Sequence, residues 1–356
     1  MAGKKSSVGV DIGYSSIRIV QVEKTAAGVR VTKFATVPTP PDSVRDGLVR
    51  DPEEVGQAIK TAMKDAHIHA STAVVAASGG AVFVRTVPFP KMTPQMLRES
   101  IKFEAGRYVP GSIEDSYVEG EILGNLNETQ MNVLLAAAPK DVVDGRIAAC
   151  KVAGLDVRLV EIETFAAYRA LLETDEAKDT ANKTYILVDI GATSTTVSVI
   201  ENGVYVMLRS MPNAGNTLTE ALKAAFKLEA VDAEAGKSAL DMNEFLTPQG
   251  LENPPLKVIA AHVDDLVREL RRSMNYLQTQ NSEATQATNI DGMFLCGGGA
   301  KLKGLDQYLQ AKLGIPVTTL GVFENPIITQ TGAISGTGVD LAVATGLAMR
   351  PVLWAA

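Results

Sequence analysis

The chain carries the same short sequence pattern twice, at a constant separation. The two copies are Val8–Glu23 (VGVDIGYSSIRIVQVE) and Ile186–Glu201 (ILVDIGATSTTVSVIE). Each reads as an apolar strand, an Asp-x-Gly turn with hydroxyl residues, and a second apolar strand. Asp11 matches Asp189, and the separation of 189 − 11 = 178 residues is half of the 356-residue chain. Because stacked repeat arrays have far shorter periods, this duplication predicts two related domains that face each other.

Both copies carry residue types that suit a phosphate group. Gly13 and Gly191 lack a Cβ atom, so backbone N–H groups can approach phosphate oxygens. Asp11 and Asp189, each at a strand end, suit a hydrated Mg²⁺ ion, which binds few carboxylates and keeps several waters. We therefore expect the two turns to clamp a polyphosphate with Mg²⁺. The further donors expected from the turns are Tyr14, Ser15, Ser16, Thr193, Ser194 and Thr195. Two unrelated hairpins are the alternative, which the duplication disfavours.

A third glycine-rich element follows a predicted buried strand. The strand Gly292–Cys296 leads into Gly297, Gly298 and Gly299, and a helix is predicted over Leu302–Leu313. A strand, glycines and a helix N-terminus together leave the backbone open to a ligand. The stretch is neither GxGxxG nor GxxxxGK[ST], which excludes a dinucleotide fold and a P-loop. Beside the two hairpins, it predicts a contact with a nucleoside.

Apolar periodicity divides the chain into alternating strands and helices, which predicts an α/β fold. Besides the two hairpins, the predicted strands are Val29–Val37, Ala73–Ala77, Val82–Val87, Tyr117–Leu123, Met131–Ala138, Leu155–Glu161 and Gly203–Ser210. The other predicted helices are Asp51–Ala66, Thr93–Tyr108, Lys140–Ala153, Thr164–Glu173, Thr217–Phe226, Asp232–Leu240, Lys257–Gln280 and Ala342–Met349.

Charge and apolar runs exclude several classes of function. Lys plus Arg number 34 and Asp plus Glu 41, so the net charge is −7, which disfavours general nucleic-acid binding. No apolar run approaches the roughly 20 residues of a membrane span, and no signal-peptide core is found. Cys150 and Cys296 show no CxxC spacing, which predicts free thiols in the cytosol. His67 and His69 are expected in a turn rather than in a metal site.

The two hairpins and the glycine triplet, in this order, resemble the actin-like ATPase superfamily, which includes actin, heat-shock chaperone ATPases, sugar kinases and FtsA. The resemblance implies an α/β fold of two lobes with a duplicated core, and ATP with Mg²⁺ between them. It implies that Asp11–Ser16 and Asp189–Thr195 are the two phosphate loops, and that Gly297–Gly299 is the adenosine motif. Family members usually carry Ser or Thr where Tyr14 stands.

Further site residues follow from the same resemblance. Glu163 matches a polar position that orients the attacking water, so Asp11, Glu163 and Asp189 are the catalytic candidates. Glu234 and Lys237 lie on a helix that would pack against the nucleoside. Family members often carry a Gly-Gly pair near Asn213–Asn216; in this sequence one of the two glycines is replaced and Gly215 is kept.

Within the superfamily, the chain is similar to the PilM family of type IV pilus assembly proteins, from Val8 to Arg350. The stretches that carry this likeness are FVRTVPFPKM, RESIKFEAGRYVP, AAAPKDVVDG and LAVATGLAMR. The likeness implies a subdomain inserted into lobe one, as in FtsA and PilM. The implied ranges are 1–40 and 161–183 for lobe one with its connecting helix, 41–160 for the inserted subdomain, 184–215 and 291–338 for the lobe two core, 216–290 for its helical subdomain, and 339–356 for a C-terminal helix returning to lobe one.

The PilM likeness implies a cytosolic ATP-binding scaffold of the pilus assembly platform at the inner membrane. Such a protein would bind the cytosolic N-terminal peptide of a PilN-like bitopic membrane protein, with other platform or motor proteins as further partners. It would meet the membrane only through protein partners and bind no nucleic acid. ATP would be a structural or switching ligand, with slow hydrolysis at best.

Two other functions in the superfamily remain as alternatives. An FtsA-like membrane tether needs a basic amphipathic C-terminal helix, which Met349–Ala356 does not offer. A small-molecule kinase needs an acceptor pocket with a catalytic base, and no spare carboxylate lies in a recognisable acceptor motif.

Overall fold

Two β-sheets, each built around one copy of the duplicated hairpin, organise the chain. The computed structural model describes residues 7–176, 178–280, 289–332 and 336–354. The domain ranges that were predicted from the sequence also include residues outside the described ones, at 1–6, 177, 281–288, 333–335 and 355–356. The first sheet contains, in order across it, β10 (Asp156–Ile162), β6 (Thr72–Ala77), β1 (Ser7–Ile12), β2 (Ser16–Thr25), β3 (Gly28–Pro38) and β16 (Ile328–Gln330). The second contains β15 (Val317–Thr319), β14 (Gly292–Cys296), β11 (Thr184–Ile190), β12 (Thr195–Glu201), β13 (Val204–Met211), β7 (Phe83–Pro90), β9 (Gln130–Pro139) and β8 (Ser116–Asn125). A separate small hairpin joins β4 (Val44–Arg45) to β5 (Leu48–Val49).

The sequence duplication is also a duplication of structure. β1 pairs antiparallel with β2, and Asp11 lies opposite Arg18; β11 pairs antiparallel with β12, and Asp189 lies opposite Thr196. Each first strand has a parallel neighbour on its other side, β6 for β1 and β14 for β11. The predicted two lobes with a duplicated core are therefore confirmed.

The helices form three layers around the two sheets. α1 and α3 cover the outer face of the first sheet, α4 and α9 lie between the sheets, and α5, α7 and α8 cover the outer face of the second. The helices are α1 (Pro52–Asp65), α2 (Pro94–Ala105), α3 (Lys140–Val152), α4 (Glu163–Tyr168), α5 (Gly215–Phe226), α6 (Ala230–Ala239), α7 (Pro254–Gln280), α8 (Leu305–Leu313) and α9 (Ala342–Leu353). In the described ranges, no helix is both long and apolar enough to cross a membrane.

The middle layer is packed so closely that glycine is required where α4 and α9 meet. A Cβ atom added at Gly346 would lie 1.8 Å from the Ala166 carbonyl oxygen. α9 also lies against β1, where a Cβ at Gly9 would lie 2.1 Å from the Ala344 carbonyl oxygen. Trp354, just after α9, packs against the protein body, since its ring centre is 5.3 Å from the Arg169 guanidinium carbon.

The inserted segment, residues 79–139, joins the two sheets. Its chain leaves the first sheet after β6 and returns at α3, but its strand β7 pairs with β13 of the second sheet at Arg85 and Met207. Leu97 and Ile101 of α2 belong to one buried cluster with side chains of β7, β8 and β9. Within the range predicted for the insertion, 41–160, β6 and β10 pair in the first sheet, and α1 and α3 cover that sheet.

Other predicted boundaries also change. β16 falls within 291–338, which was expected in lobe two, yet it pairs with β3 in the first sheet. α8 begins at Leu305 rather than Leu302, because Gly304 adopts φ +72° and interrupts the helix. The helix predicted over Thr164–Glu173 continues from α4 as a π-helical turn, Arg169–Glu173.

Candidate functional site

A cleft of about 490 Å³ opens between the two sheets, where the two matched turns face each other. β1 and β11 end at this cleft and bring Asp11 and Asp189 to its floor, and α4 brings Glu163. The predicted site residues that line it are Asp11, Gly13, Tyr14, Ser15, Glu163, Asp189, Gly191, Thr193, Ser194, Gly215, Glu234, Lys237, Gly297, Gly298 and Gly299.

Two predicted contacts, Ser16 and Thr195, lie outside the cleft. Thr195 is fully buried, and its hydroxyl donates to the Asn213 carbonyl oxygen at 2.6 Å. Because adjacent side chains of a strand point to opposite faces, Thr196 of β12 lines the cleft in place of Thr195, and on β2 the cleft residue is Arg18. These two are also 178 residues apart, at matching positions of the two hairpins.

The glycines of the two turns close the turns rather than offering free amides. The Gly13 N–H donates to the Ser16 carbonyl oxygen at 3.1 Å, and the Gly191 N–H donates to that of Ser194 at 3.0 Å. A Cβ atom at either glycine would lie 2.9 Å from the same oxygen. The N–H groups of the two glycines are therefore used within the turns, and the residues at the tips of the turns line the cleft beside them.

Three buried carboxyl groups meet at the floor of the cleft. Burial, and then the charge of Asp189, raises the pKa of Glu163 to about 8. Burial and the charge of Asp11 raise the pKa of Asp189 to about 6. Burial also raises the pKa of Asp11, although Arg18 Nη1 lies 3.6 Å from its Oδ2. Carboxyl groups that repel one another in a buried site favour a bound cation.

Glu163 should make the ligand-free protein less stable as the pH rises. Its carboxyl has an ordinary pKa of 4.5 when the chain is unfolded and a pKa of about 8 when it is folded, so between these values the unfolded chain has lost a proton that the folded chain keeps. Stability therefore falls through this window. At pH 9 we expect the Tm of Glu163→Gln to exceed that of the wild type by about 3 °C or more. In domains of about 150–250 residues, a Tm shift of this size corresponds to about 1 kcal/mol of unfolding free energy.

Thermal melts at pH 5 and pH 9, without Mg²⁺ or nucleotide, measure this difference. Glu119→Gln, at an exposed position, is the matched control and should show no such dependence. A gain for Glu163→Gln that is the same at both pH values would contradict the assignment.

The residues present fit Mg²⁺ and a nucleotide. Among the described residues, no cluster of three or more His, Cys, Asp or Glu could hold a metal ion alone. Asp11 and Asp189 suffice for Mg²⁺, which takes one or two carboxylates and fills its shell with water and substrate phosphates. The glycine triplet supplies a wall without side chains: Gly297 has φ +87°, and a Cβ there would lie 2.1 Å from Asp189 Oδ1.

An apolar pocket of about 270 Å³ adjoins the cleft beside the glycine triplet. Its size and lining suit a flat aromatic base. Its apolar lining residues are Ile190, Ala214, Leu218, Val263, Leu266, Leu302 and Leu305.

Hydrogen bonds between α5 and α6 fix the rim that the cleft and the pocket share. Glu234 Oε2 accepts from Lys237 Nζ at 2.7 Å and from Thr219 Oγ1 at 2.6 Å. Partial burial would raise the pKa of Glu234, but these two hydrogen bonds lower it. Lys237 Nζ also donates to the Gly215 carbonyl oxygen at 3.3 Å, and the Gly215 N–H donates to the Gly191 carbonyl oxygen at 3.0 Å. The rim is thus tied to the second turn.

Several side chains of the cleft were not predicted from the sequence, among them Arg18, Thr196, Asp340 and Arg146. Arg18 lies between two carboxylates, since its Nε is 3.3 Å from Asp340 Oδ2, and Lys301 Nζ is 2.8 Å from the other oxygen of Asp340. The period-2 pattern of the first hairpin could have found Arg18. The sequence pattern gives no signal for Asp340, or for Arg146 on α3, because distant segments bring them to the cleft.

Comparison with known proteins assigns the chain to a family. The sequence model for the type IV pilus assembly protein PilM matches residues 9–352. The chain belongs to the PilM family of type IV pilus assembly proteins. Among solved structures, a PilM-PilN type IV pilus biogenesis complex contains a chain that is 27% identical, with a TM-score of 0.84 over 98% of both chains.

More distant relatives share the fold of this PilM-family chain. The cell division protein FtsA of Streptococcus pneumoniae is 21% identical over 359 residues, which cover 89% of this chain and 76% of that protein. MreB5 of Spiroplasma citri, solved with AMPPNP, is 12% identical, with a TM-score of 0.56 over 98% of this chain and 96% of that one. The actin-like ATPase fold that the sequence implied is therefore confirmed.

Proposed function

We propose that this PilM-family protein is an ATP-binding scaffold of the type IV pilus assembly platform at the inner membrane. One observation carries the proposal: two matched Asp-x-Gly turns face each other across a single cleft, with Asp11 and Asp189 at its floor. A phosphate chain fits between the turns, and the apolar pocket beside the glycine triplet fits the base.

The chain's own residues divide the work of holding the nucleotide. Asp11 and Asp189 hold Mg²⁺, which neutralises phosphate charge when bound. The turn tips, Tyr14–Ser15 and Ala192–Ser194, provide amide and hydroxyl donors. Arg18 lies beside Asp11, where its guanidinium can pair with a phosphate oxygen.

Glu163 is the cleft residue that would take part in any hydrolysis of ATP, which is proposed to be slow. Thr196 Oγ1 donates to Glu163 Oε1 at 2.9 Å, which holds the carboxyl toward the cleft. With its pKa raised to about 8 by burial and by Asp189, this carboxyl carries a proton at neutral pH in the ligand-free protein. Mg²⁺ held by Asp189 would lower this pKa and favour the ionised carboxylate, so the slow hydrolysis proposed for ATP rests on the likeness to PilM.

The partner is proposed to be the cytosolic N-terminal peptide of a PilN-like bitopic membrane protein. Support comes from the likeness, over 98% of this chain, to a chain of a PilM-PilN complex. This partner would place the protein at the cytosolic face of the inner membrane, where other platform or motor proteins could join it.

We expect a fluorescent peptide, copied from the N-terminus of the PilN homologue of the same organism, to bind the full chain. Fluorescence anisotropy with and without Mg–ATP measures the binding, and a peptide of scrambled sequence is the control. Equal binding of both peptides, or binding of neither, would refute the partner.

A further inference from the structure

Arg146 is a fully buried cation that lines the cleft. It lies on α3 with only 1% of its surface exposed. Its Nη1 donates to the carbonyl oxygens of Val142, at 2.9 Å, and Gly47, and its Nη2 donates to Ser78 Oγ at 2.6 Å. All three acceptors are neutral.

The charge of Arg146 has no direct counterpart. Within the described ranges, no carboxylate lies within 4.0 Å of its guanidinium, and its Nε has no hydrogen-bond partner. Burial lowers the pKa of Arg146, while the more distant charges of Glu163 and Asp11 oppose that shift. A buried cation without an ion pair is costly, and an anion in the cleft would relieve that cost. Guanidinium groups bind phosphate oxygens with high geometric specificity.

Two of the three acceptors of Arg146 lie at the two ends of the inserted segment. Ser78 is the last residue before the segment, and Val142 stands just after it, in the first turn of α3. Gly47 lies in the turn between β4 and β5. Arg146 thus binds residues at both ends of the segment, its two stems, and lines the cleft with a buried Nε that has no partner among the described residues.

The inserted segment itself reaches the second sheet. Thr86 Oγ1 on β7 donates to the Tyr205 carbonyl oxygen on β13 at 2.6 Å, next to the pairing of Arg85 with Met207. Any movement of the two stems would therefore move the segment relative to the second sheet.

We propose that Arg146 binds the terminal phosphate of a nucleoside triphosphate and thereby couples the presence of that phosphate to the position of the inserted segment. The coupling rests on the proposed function, because it needs a nucleotide in the cleft. A terminal phosphate pairs with Arg146 and shifts its bonds to the two stems, whereas a nucleoside diphosphate leaves Arg146 as it is.

Spin labels at two exposed positions can follow the segment, because both native cysteines are buried. Lys60→Cys on α1 and Glu99→Cys on α2 give one label on the first lobe and one on the segment. We expect the distance between labels to differ between the Mg–AMPPNP and Mg–ADP complexes of the wild-type background. Arg146→Met should abolish this difference and lower the preference for AMPPNP over ADP by about 10- to 100-fold, the effect of losing a charged hydrogen bond. Arg98→Met, at an exposed position on α2, should change neither.

Each outcome bears on one of the two proposals. Equal distances with both nucleotides, or a difference that survives in Arg146→Met, would overturn the coupling alone. If neither nucleotide binds in calorimetry, the proposed function fails and the coupling fails with it. Should Arg146→Met not fold, Ser78→Ala removes only one stem bond. It should keep the preference for AMPPNP and lose the change in distance, and an unaltered change would overturn the coupling.

Discussion

Asp11→Ala and Asp189→Ala should each weaken the binding of Mg–ATP by about 10- to 100-fold, the effect of losing a charge-assisted contact. Each carboxylate stands at the end of the first strand of its hairpin, and both line the same cleft. Neither variant should unfold the protein, since burial already penalises both charges and raises the pKa of both carboxyls. Calorimetric titration with ATP measures the affinity, and the melting temperature reports folding.

Titration with ATP in the absence of Mg²⁺ is a control in which the two substitutions should no longer weaken binding. Without Mg²⁺, the carboxylates repel the phosphates, so both variants should bind ATP as well as the wild type or better. Asp65→Ala, at an exposed position on α1, should bind Mg–ATP like the wild type. Unchanged affinity for Mg–ATP in both Asp11→Ala and Asp189→Ala would refute the clamp.

Gly346→Ala should destabilise the protein by about 2–4 kcal/mol, or prevent folding, because no space is left for a methyl group where α4 and α9 pack together. The added methyl group would meet the Ala166 carbonyl oxygen at 1.8 Å and its carbonyl carbon at 2.4 Å. Both atoms belong to the backbone, so α4 and α9 would have to separate. Denaturant unfolding followed by circular dichroism measures the loss.

A second helical glycine provides the matched control. No atom lies within 4 Å of a Cβ added at Gly236 on α6, so Gly236→Ala should stabilise the protein by up to about 1 kcal/mol through helix propensity. Opposite signs for the two substitutions are expected. A mild effect of Gly346→Ala, similar in size to that of Gly236→Ala, would show that the middle layer is looser than described.

The duplicated hairpins were predictable because each is defined by a pattern within a short stretch of the sequence. Alternating apolar residues and an Asp-x-Gly turn define each hairpin within 16 residues, and the repeat at 178 residues places the two hairpins in related domains. The same turns brought eight of the residues that line the cleft into the prediction. The glycine triplet was recognised because a buried strand leads directly into it.

What the sequence could not supply depends on strand faces and on distant contacts. Thr195 and Thr196 are adjacent hydroxyl residues, and only the register of β12 shows that Thr196 faces the cleft. Arg146 reads as an ordinary helical residue, since the segments that bury it come from other parts of the chain. The pairing of β7 with β13 joins strands that are more than 100 residues apart in the sequence, and no local sequence pattern predicts it.

A crystal structure of the full chain with Mg–AMPPNP tests the clamp most directly. We expect the phosphates to lie between the turn tips at Tyr14–Ser15 and Ala192–Ser194, with Mg²⁺ beside Asp11 and Asp189. The base should lie in the apolar pocket beside the glycine triplet. Nucleotide that is bound elsewhere, or that contacts only one of the two turns, would contradict it.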